Sequence, residues 1–446
     1  MGGIYAIDIQ DSIRQNLLWE IEVKGKRLLT LIGSTCLVLV LAALPFVGAC
    51  APEKVSPPPE EEKPVPEAKT LKIGCTLPLN LGMGIETKKC LDVIVPAFNK
   101  AGGLTVGGQR YNIDLIVYDD KYTADGGKAA VERLVYQDKV KFMVCQIGSA
   151  PILAGLPLTE ENKIPTFCGG LSPKILAPTN HYVVRTSVVS TLDPSVHAYV
   201  VSKYPHMKTL VLLSPDDESG RAQSAAAKTI AKALGLNVID SLFYPRETMD
   251  FLAIGTKVKT LAPDAVTFPA TDPGNQFGLQ LKELYAAGWT GIKYQPTAPN
   301  MDEVMSVAPK EAVEGLITSI KPTELDKPPS AARELKELYM REYGSWSQTG
   351  VAWIGGWYVL IAAIKKANSL DPDDVMNAVE GLEVDTPLGY ARMVKRPDLG
   401  NYRCVEFMPA LYIAETKDGK LIYTVTVPQD QGLAACEKIF GGGSWK

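Results

Sequence analysis

The chain has 446 residues, 46% of them hydrophobic and 22% charged, which is enough to bury large cores and to build two lobes. Its formal net charge of -4 offers no basic surplus for a phosphate backbone, so nucleic acid is not expected as a partner. Three histidines (His181, His197, His206), without Cys-x-x-Cys or His-Glu-x-x-His spacing, give a metal or cofactor site little to be made from, and none is expected.

The first fifty residues read as an export signal. Lys24, Lys26 and Arg27 flank an apolar run from Leu28 to Phe46, and Val47-Gly48-Ala49-Cys50 closes it with small residues before a cysteine. That ending resembles a bacterial lipobox and implies cleavage before Cys50, acylation of its thiol and attachment to a membrane through lipid. The competing reading is a single spanning helix, for which the run is just long enough. Asp8, Asp11, Glu20 and Glu22 stand ahead of the basic flank, where acids are unusual, so translation is expected to start at Val23. Residues 51–69 are rich in Pro and Glu and lack apolar periodicity, which predicts a semi-extended tether. Beyond it, Cys75, Cys145 and Cys168 sit in apolar strand-like runs and are expected to be buried thiols. Export permits a bridge between Cys404 and Cys436, which spacing alone does not decide.

From residue 70 short apolar runs alternate with amphipathic stretches. Leu71 to Leu79 predicts a strand, and the helix after it places Leu91, Ile94, Val95 and Phe98 on one face before stopping at Ala101-Gly102-Gly103. A strand over Tyr111 to Tyr118, a helix carrying Ala130, Val131, Leu134 and Val135, a strand over Phe142 to Ile147, a short helix from Pro151 and a strand over Ile164 to Cys168 follow. The pattern then restarts, with strands expected at Thr209 to Leu213, Val238 to Tyr244, Ala265 to Pro269, Ile292 to Gln295 and Gly315 to Ile320, and helices between them. Strands alternating with helices predict an α/β fold of parallel sheets covered on both faces, and two series of similar size predict two lobes. Helices near Ala331 to Tyr343, Ala352 to Ala367 and Asp371 to Glu380, then strands at Glu406 to Ile413 and Leu421 to Val427, read as a return of the chain to both lobes.

Several strings in this order resemble the type I periplasmic binding proteins, in the leucine/isoleucine/valine-binding branch. They are Ile73-Gly74-Cys75-Thr76-Leu77-Pro78-Leu79, Phe98-Asn99-Lys100-Ala101-Gly102-Gly103-Leu104, Tyr118-Asp119-Asp120, Tyr285-Ala286-Ala287-Gly288-Trp289 and Asp385-Thr386-Pro387-Leu388-Gly389. The resemblance covers Lys72 to about Val427. It implies two Rossmann-like lobes joined by a three-crossover hinge, 70–188 plus 316–403 forming the first and 189–315 plus 404–446 the second, with ligand in the cleft between them.

Ligands of such sheets sit beyond the carboxyl ends of the strands. Two loops stand out there, Gly148-Ser149-Ala150-Pro151 and Gly169-Gly170-Leu171-Ser172-Pro173. Serine before proline suits a helix cap, and free backbone N–H groups at such a turn favour a carboxylate. The resemblance implies that Ser149, Gly170 and Ser172, with Ala150 and Leu171 beside them, grip a ligand carboxylate. On the opposite wall, Thr297 stands where the resemblance expects an acid for an amino group. Met83 and Ser219 stand where it expects aromatics, and Asp272 is the one acid in a matching loop, a helix cap by its own chemistry.

These readings favour a binding protein over an enzyme. No Gly-x-Gly-x-x-Gly follows the first strand, and no Gly-x-Ser-x-Gly elbow occurs. The expected function is capture of a small carboxylate and delivery to the permease of an ABC importer; the alternative is the ligand-binding subunit of a sensory system.

Overall fold

The computed structural model describes residues 67–186, 189–270, 274–395 and 405–440. Cys50, residues 51–66 of the tether, Asp272 and Cys404 therefore lie outside the described residues, and Lys69, read as the tether's end, already begins the first strand. Among the described residues no helix is long and apolar enough to cross a membrane.

Nine described strands form one sheet. Strand β1 (Lys69–Leu77) runs parallel between β3 (Gln109–Asp119) and β4 (Phe142–Gln146). Ile73 to Leu77 are buried without interruption, as a parallel strand covered on both faces requires. On the other side of β4 come β5 (Thr166–Cys168) and β6 (Val183–Arg185), also parallel, while β2 (Leu104–Val106) edges β3. Helix α1 (Gly82–Lys100) presents Leu91, Ile94 and Val95 to this sheet.

The Phe98-to-Leu104 string has a physical role. Asn99 donates its side-chain amide to the Ile113 carbonyl at 2.9 Å and accepts the Ile113 N–H at 2.8 Å, so one side chain replaces a missing strand partner. Gly103 then passes so close to β3 that a Cβ would lie 2.3 Å from the Tyr111 carbonyl oxygen. Phe98 packs edge-on against Trp357 of α11 (Gly355–Ala367), a helix apolar on nearly all sides because the first sheet and its neighbours enclose it.

The second sheet has seven described strands. Strand β7 (Thr209–Pro215) lies parallel between β8 (Asn237–Tyr244) and β9 (Ala265–Thr267), followed by β10 (Ile292–Gln295) and β11 (Ile317–Ser319). It repeats the logic of the first. The first strand of each series, β1 and β7, runs into a proline, Pro78 and Pro215, and the next helix packs a glycine on its carbonyl: Gly84 in α1, and Gly220 in α5 (Glu218–Ala233), where a Cβ would lie 2.0 Å from the Pro215 oxygen. Asp217 caps α5 by accepting the Gly220 N–H.

The chain passes between the sheets three times. It leaves the first after β6, returns after β11 to supply β12 (Glu383–Thr386), β13 (Gly389–Lys395) and β14 (Val405–Pro409), and then enters the second as β15 (Leu411–Lys417) and β16 (Lys420–Val427). Two expectations are corrected here. Glu406 to Ile413 is not one strand: β14 pairs with β13 and β6 in the first sheet, whereas β15 pairs with β11 in the second, and only Ala410 separates them. Residues 407–414 are apolar without a break, so no change of period marks the change of sheet. Likewise β11 belongs to the second sheet, so the second passage follows Ser319 rather than residue 316.

Cys75, Cys145 and Cys168 are buried free thiols, as is Cys90, and Cys436 is buried too. Burial pushes the Cys145 thiol up to about 12.

Asp120, just past β3, is fully buried. Its carboxylate accepts the Tyr122 N–H at 2.8 Å, which fixes Lys121 and Tyr122 in the left-handed region at φ 54° and 60°. Burial pushes its pKa from 3.8 up to about 7. The folded chain thus holds this proton more tightly than the unfolded chain, a contribution present below pH 3.8 and lost as pH rises towards 7. Asp120→Asn keeps an acceptor for Tyr122 and removes the titration. Urea unfolding at pH 5 and pH 8 should show the parent losing about 1–3 kcal/mol over that interval relative to the variant. Equal slopes for the two chains would refute the assignment.

Candidate functional site

A cavity of about 150 Å³ opens between the carboxyl ends of the two sheets. Ile147 and Gly148 enter it after β4, Leu171 after β5, Arg246 after β8, Gln295 and Thr297 after β10, and Ser319 and Ile320 at the end of β11. That is where a doubly wound sheet places its ligand-reading loops. The wall is largely apolar and aromatic: Met83, Tyr122, Leu171, Phe277, Trp353 and Leu388. In volume the space is comparable to about one benzene ring.

Two cations reach the cavity. Arg246 has a side chain only 8% exposed; its Nε donates to Asp217, and its guanidinium lies over the Tyr122 ring, 4.9 Å from the centroid. Lys321 is buried, with its ammonium donating to the Gln348 carbonyl at 3.0 Å. No Asp or Glu stands among the described lining residues. The remaining polar groups include Gln295, Thr297, Asn300, Thr349 and Tyr412, whose hydroxyl pKa burial raises.

Of the residues named from sequence, Met83, Leu171, Ser219 and Thr297 line the cavity, and the Thr297 carbonyl accepts the Thr318 hydroxyl at 2.8 Å. Ser149, Gly170 and Ser172 are buried beside it, and Ala150 sits one residue further along α3 (Ser149–Glu161). Ser149 does not cap its helix. Gly148, at φ 91°, holds the cap position, and a Cβ there would strike the Tyr122 ring at 2.6 Å. The Ser149 hydroxyl instead accepts the N–H groups of Leu171 at 3.1 Å and Ser172 at 2.9 Å, tying the two loops together. Ser172 does cap, its hydroxyl accepting the Lys174 N–H. Gly170 directs its N–H at the Cys168 sulfur, and a Cβ on it would lie 2.0 Å from Ile175.

The first turn of α5 meets these loops. The Ser219 hydroxyl donates to Ser149 Oγ at 2.9 Å and accepts the Ser149 N–H at 3.2 Å, with the Tyr122 hydroxyl 3.4 Å away. Next to it the Glu218 carboxylate accepts the Ser172 hydroxyl at 2.8 Å and pairs with Lys174 at 3.1 Å.

Sequence reasoning missed Tyr122, Arg246, Phe277, Lys321, Trp353 and Tyr412. Arg246 had a signal, since it follows directly on the strand ending at Tyr244, and Tyr122 follows Asp119 in the same way. Trp353 and Tyr412 lay inside elements read only for packing. Among the described residues no group of three His, Cys, Asp or Glu side chains could hold a metal ion.

The geometry agrees with what the chain is similar to. A periplasmic binding protein family model matches residues 78–420. The leucine-, isoleucine-, valine-, threonine- and alanine-binding protein of Pseudomonas aeruginosa is 22% identical over 310 residues, covering 69% of this chain and 80% of that one. Among solved structures, a solute binding protein of an ABC transporter from Rhodopseudomonas palustris, in complex with 3,4-dihydroxybenzoic acid, is 23% identical with a TM-score of 0.66, covering 81% of this chain and 98% of that one. A leucine binding protein from Thermotoga maritima is 20% identical with a TM-score of 0.66, covering 81% and 99%. With α/β parallel sheets of the type I arrangement and a family model spanning most of its length, the chain belongs to the periplasmic binding protein family.

Proposed function

We propose that the chain is the extracytoplasmic binding component of an ABC importer and captures a small carboxylate with an aromatic or apolar body, without chemistry on it. One observation carries the reading: the described lining holds two buried cations and no carboxylate, within an aromatic wall of single-ring size. A buried ammonium without a charged partner is costly, and Thr297 answers it with a hydroxyl only, whereas a carboxylate meets complementary charge. The dihydroxybenzoate held by the similar Rhodopseudomonas palustris protein supports an aromatic acid as the substrate class. Walls supplied by both sheets, and three chain passages between them, support closure about a hinge.

Calorimetric titration of the full-length chain in detergent distinguishes the substrates. Benzoate or 4-hydroxybenzoate is expected to bind at least tenfold more tightly than leucine, about 1.4 kcal/mol. Leucine binding tenfold tighter than both would restore the amine and make Asp272→Asn the variant to examine.

The importer role further calls for retention at a membrane, which the Val47-Gly48-Ala49-Cys50 string and the Pro/Glu tether support. Cells fed labelled palmitate should incorporate label into the parent chain and not into Cys50→Ala, which accumulates as uncleaved precursor. Equal labelling of the two would eliminate the lipid anchor.

A further inference from the structure

We propose that Glu218 is a latch across the cleft: it joins the first turn of α5 to the loop after β5 at a point outside the cavity lining, and so sets how long a ligand is held rather than which ligand is chosen. The inference rests on the reading above of the cavity as a binding site that closes about a hinge, and it names the side chain that keeps it closed.

Glu218 belongs to the half of the molecule built on the second sheet, since α5 shares a core with Leu210 and Leu212 of β7 through Ala227 and Ala231. Ser172 and Lys174 belong to the first half. They stand between β5 and β6, where Ile175 and Leu176 are buried with Cys168 and Val183. Across this boundary the Glu218 carboxylate accepts the Ser172 hydroxyl at 2.8 Å and pairs with Lys174 at 3.1 Å. Ser172 is fully buried, and a hydrogen bond from such a hydroxyl to a charged acceptor outweighs one between neutral groups. The Lys174 side chain is 71% exposed, so its ion pair adds little, and the Ser172 bond carries most of the latch.

Other contacts cross the same boundary. Ser149 N–H donates to Ser219 Oγ at 3.2 Å, and Gln223, further along α5, donates its amide to the Leu171 carbonyl at 3.4 Å. Asn300 caps a helix (Met301–Met305) whose Val304 is buried in the second sheet's core, and it donates to the hydroxyl of Thr349 at 3.1 Å, two residues before Val351 of the first core. Each of these contacts has a member that lines the cavity: Ser219, Leu171, or both Asn300 and Thr349. A ligand can therefore compete for them. The Glu218 contact has no such member, because Glu218, Ser172 and Lys174 all stand outside the lining. Its free energy is added to the closed form for every ligand alike, and a contribution common to all ligands slows release without discriminating between them.

The test uses the full-length chain in detergent, with Glu218→Ala, Ser172→Ala and the double variant. Benzoate, 4-hydroxybenzoate and leucine are the probes. In each single variant dissociation should be at least fivefold faster in displacement kinetics, with the ratios of affinity among the probes within twofold of the parent. The double variant should be no more than twofold faster than the faster single one, because both changes remove one bond. A second readout needs no ligand: the amide of Ser149, held across the boundary by Ser219, should exchange hydrogen at least fivefold faster in unliganded Glu218→Ala, while the interior of α5 from Ala225 to Ala231 keeps the parent's rate. Glu218 is also an acid in the first turn of α5, where its charge favours the helix. A role confined to that would raise exchange along α5 and leave Ser149 and ligand dissociation unchanged, which overturns the latch. A probe ratio that shifts more than twofold in either single variant puts that residue on the ligand and overturns it as well. Should the parent bind none of the probes, the proposed function falls; binding in the parent with unaltered dissociation in the variants sinks only the latch.

Discussion

One serine hydroxyl joins the parts of the site. Ser149 Oγ lies where the loop after β4, the loop after β5 and the first turn of α5 converge, and each sends it a donor. The residue is completely buried, so each of these bonds forms away from competing water, and leaving one unmade would strand a polar group in the interior. The shape of the cavity follows from this. Leu171 is held against the wall by its own N–H bond to Ser149, and Tyr122 meets Ser219 through its hydroxyl while its ring closes on Gly148.

Charge inside the cavity follows from the same junction. The acids nearest to it, Asp217 and Glu218, are turned away from the ligand space by partners of their own: Arg246 and the α5 cap for the first, Ser172 and Lys174 for the second. What the described wall presents is guanidinium, ammonium, hydroxyls, amides and aromatic faces. The low polarity of such a surface makes each charge on it count for more than it would in water.

Much of the fold was legible because its physics is local. The first strands of the two series, β1 and β7, are continuous apolar runs, the helices after them show their buried faces at three- and four-residue spacing, and Gly102-Gly103 ends α1 where the chain must turn left-handed. Short apolar strands such as β5, β9 and β11 were legible too, but β2 and β6 were not. Val183–Arg185 spans three residues in a polar stretch, and the change of sheet at Ala410 sits inside a continuous apolar run from Phe407 to Ala414. At the site, the two serine loops were found because strand-end position and cap chemistry are written in sequence. Their partners were not, because Ser149 and Ser219 are 70 residues apart and only the packing of two sheets brings them together.

The departures at Met83 and Ser219 become intelligible in that packing. Both stand where aromatic side chains were expected, yet the cavity is not short of aromatic surface, since Tyr122, Phe277, Trp353 and Tyr412 all line it. A bulky ring at 219 could not hydrogen-bond Ser149, and the junction of three loops would lose its central contact. With serine there, the first turn of α5 approaches the Ser149 loop closely, and Tyr122 supplies the ring from the other side, carrying its hydroxyl to Ser219 and its face to Arg246. The guanidinium of Arg246 thus lies over the Tyr122 ring while also lining the cavity.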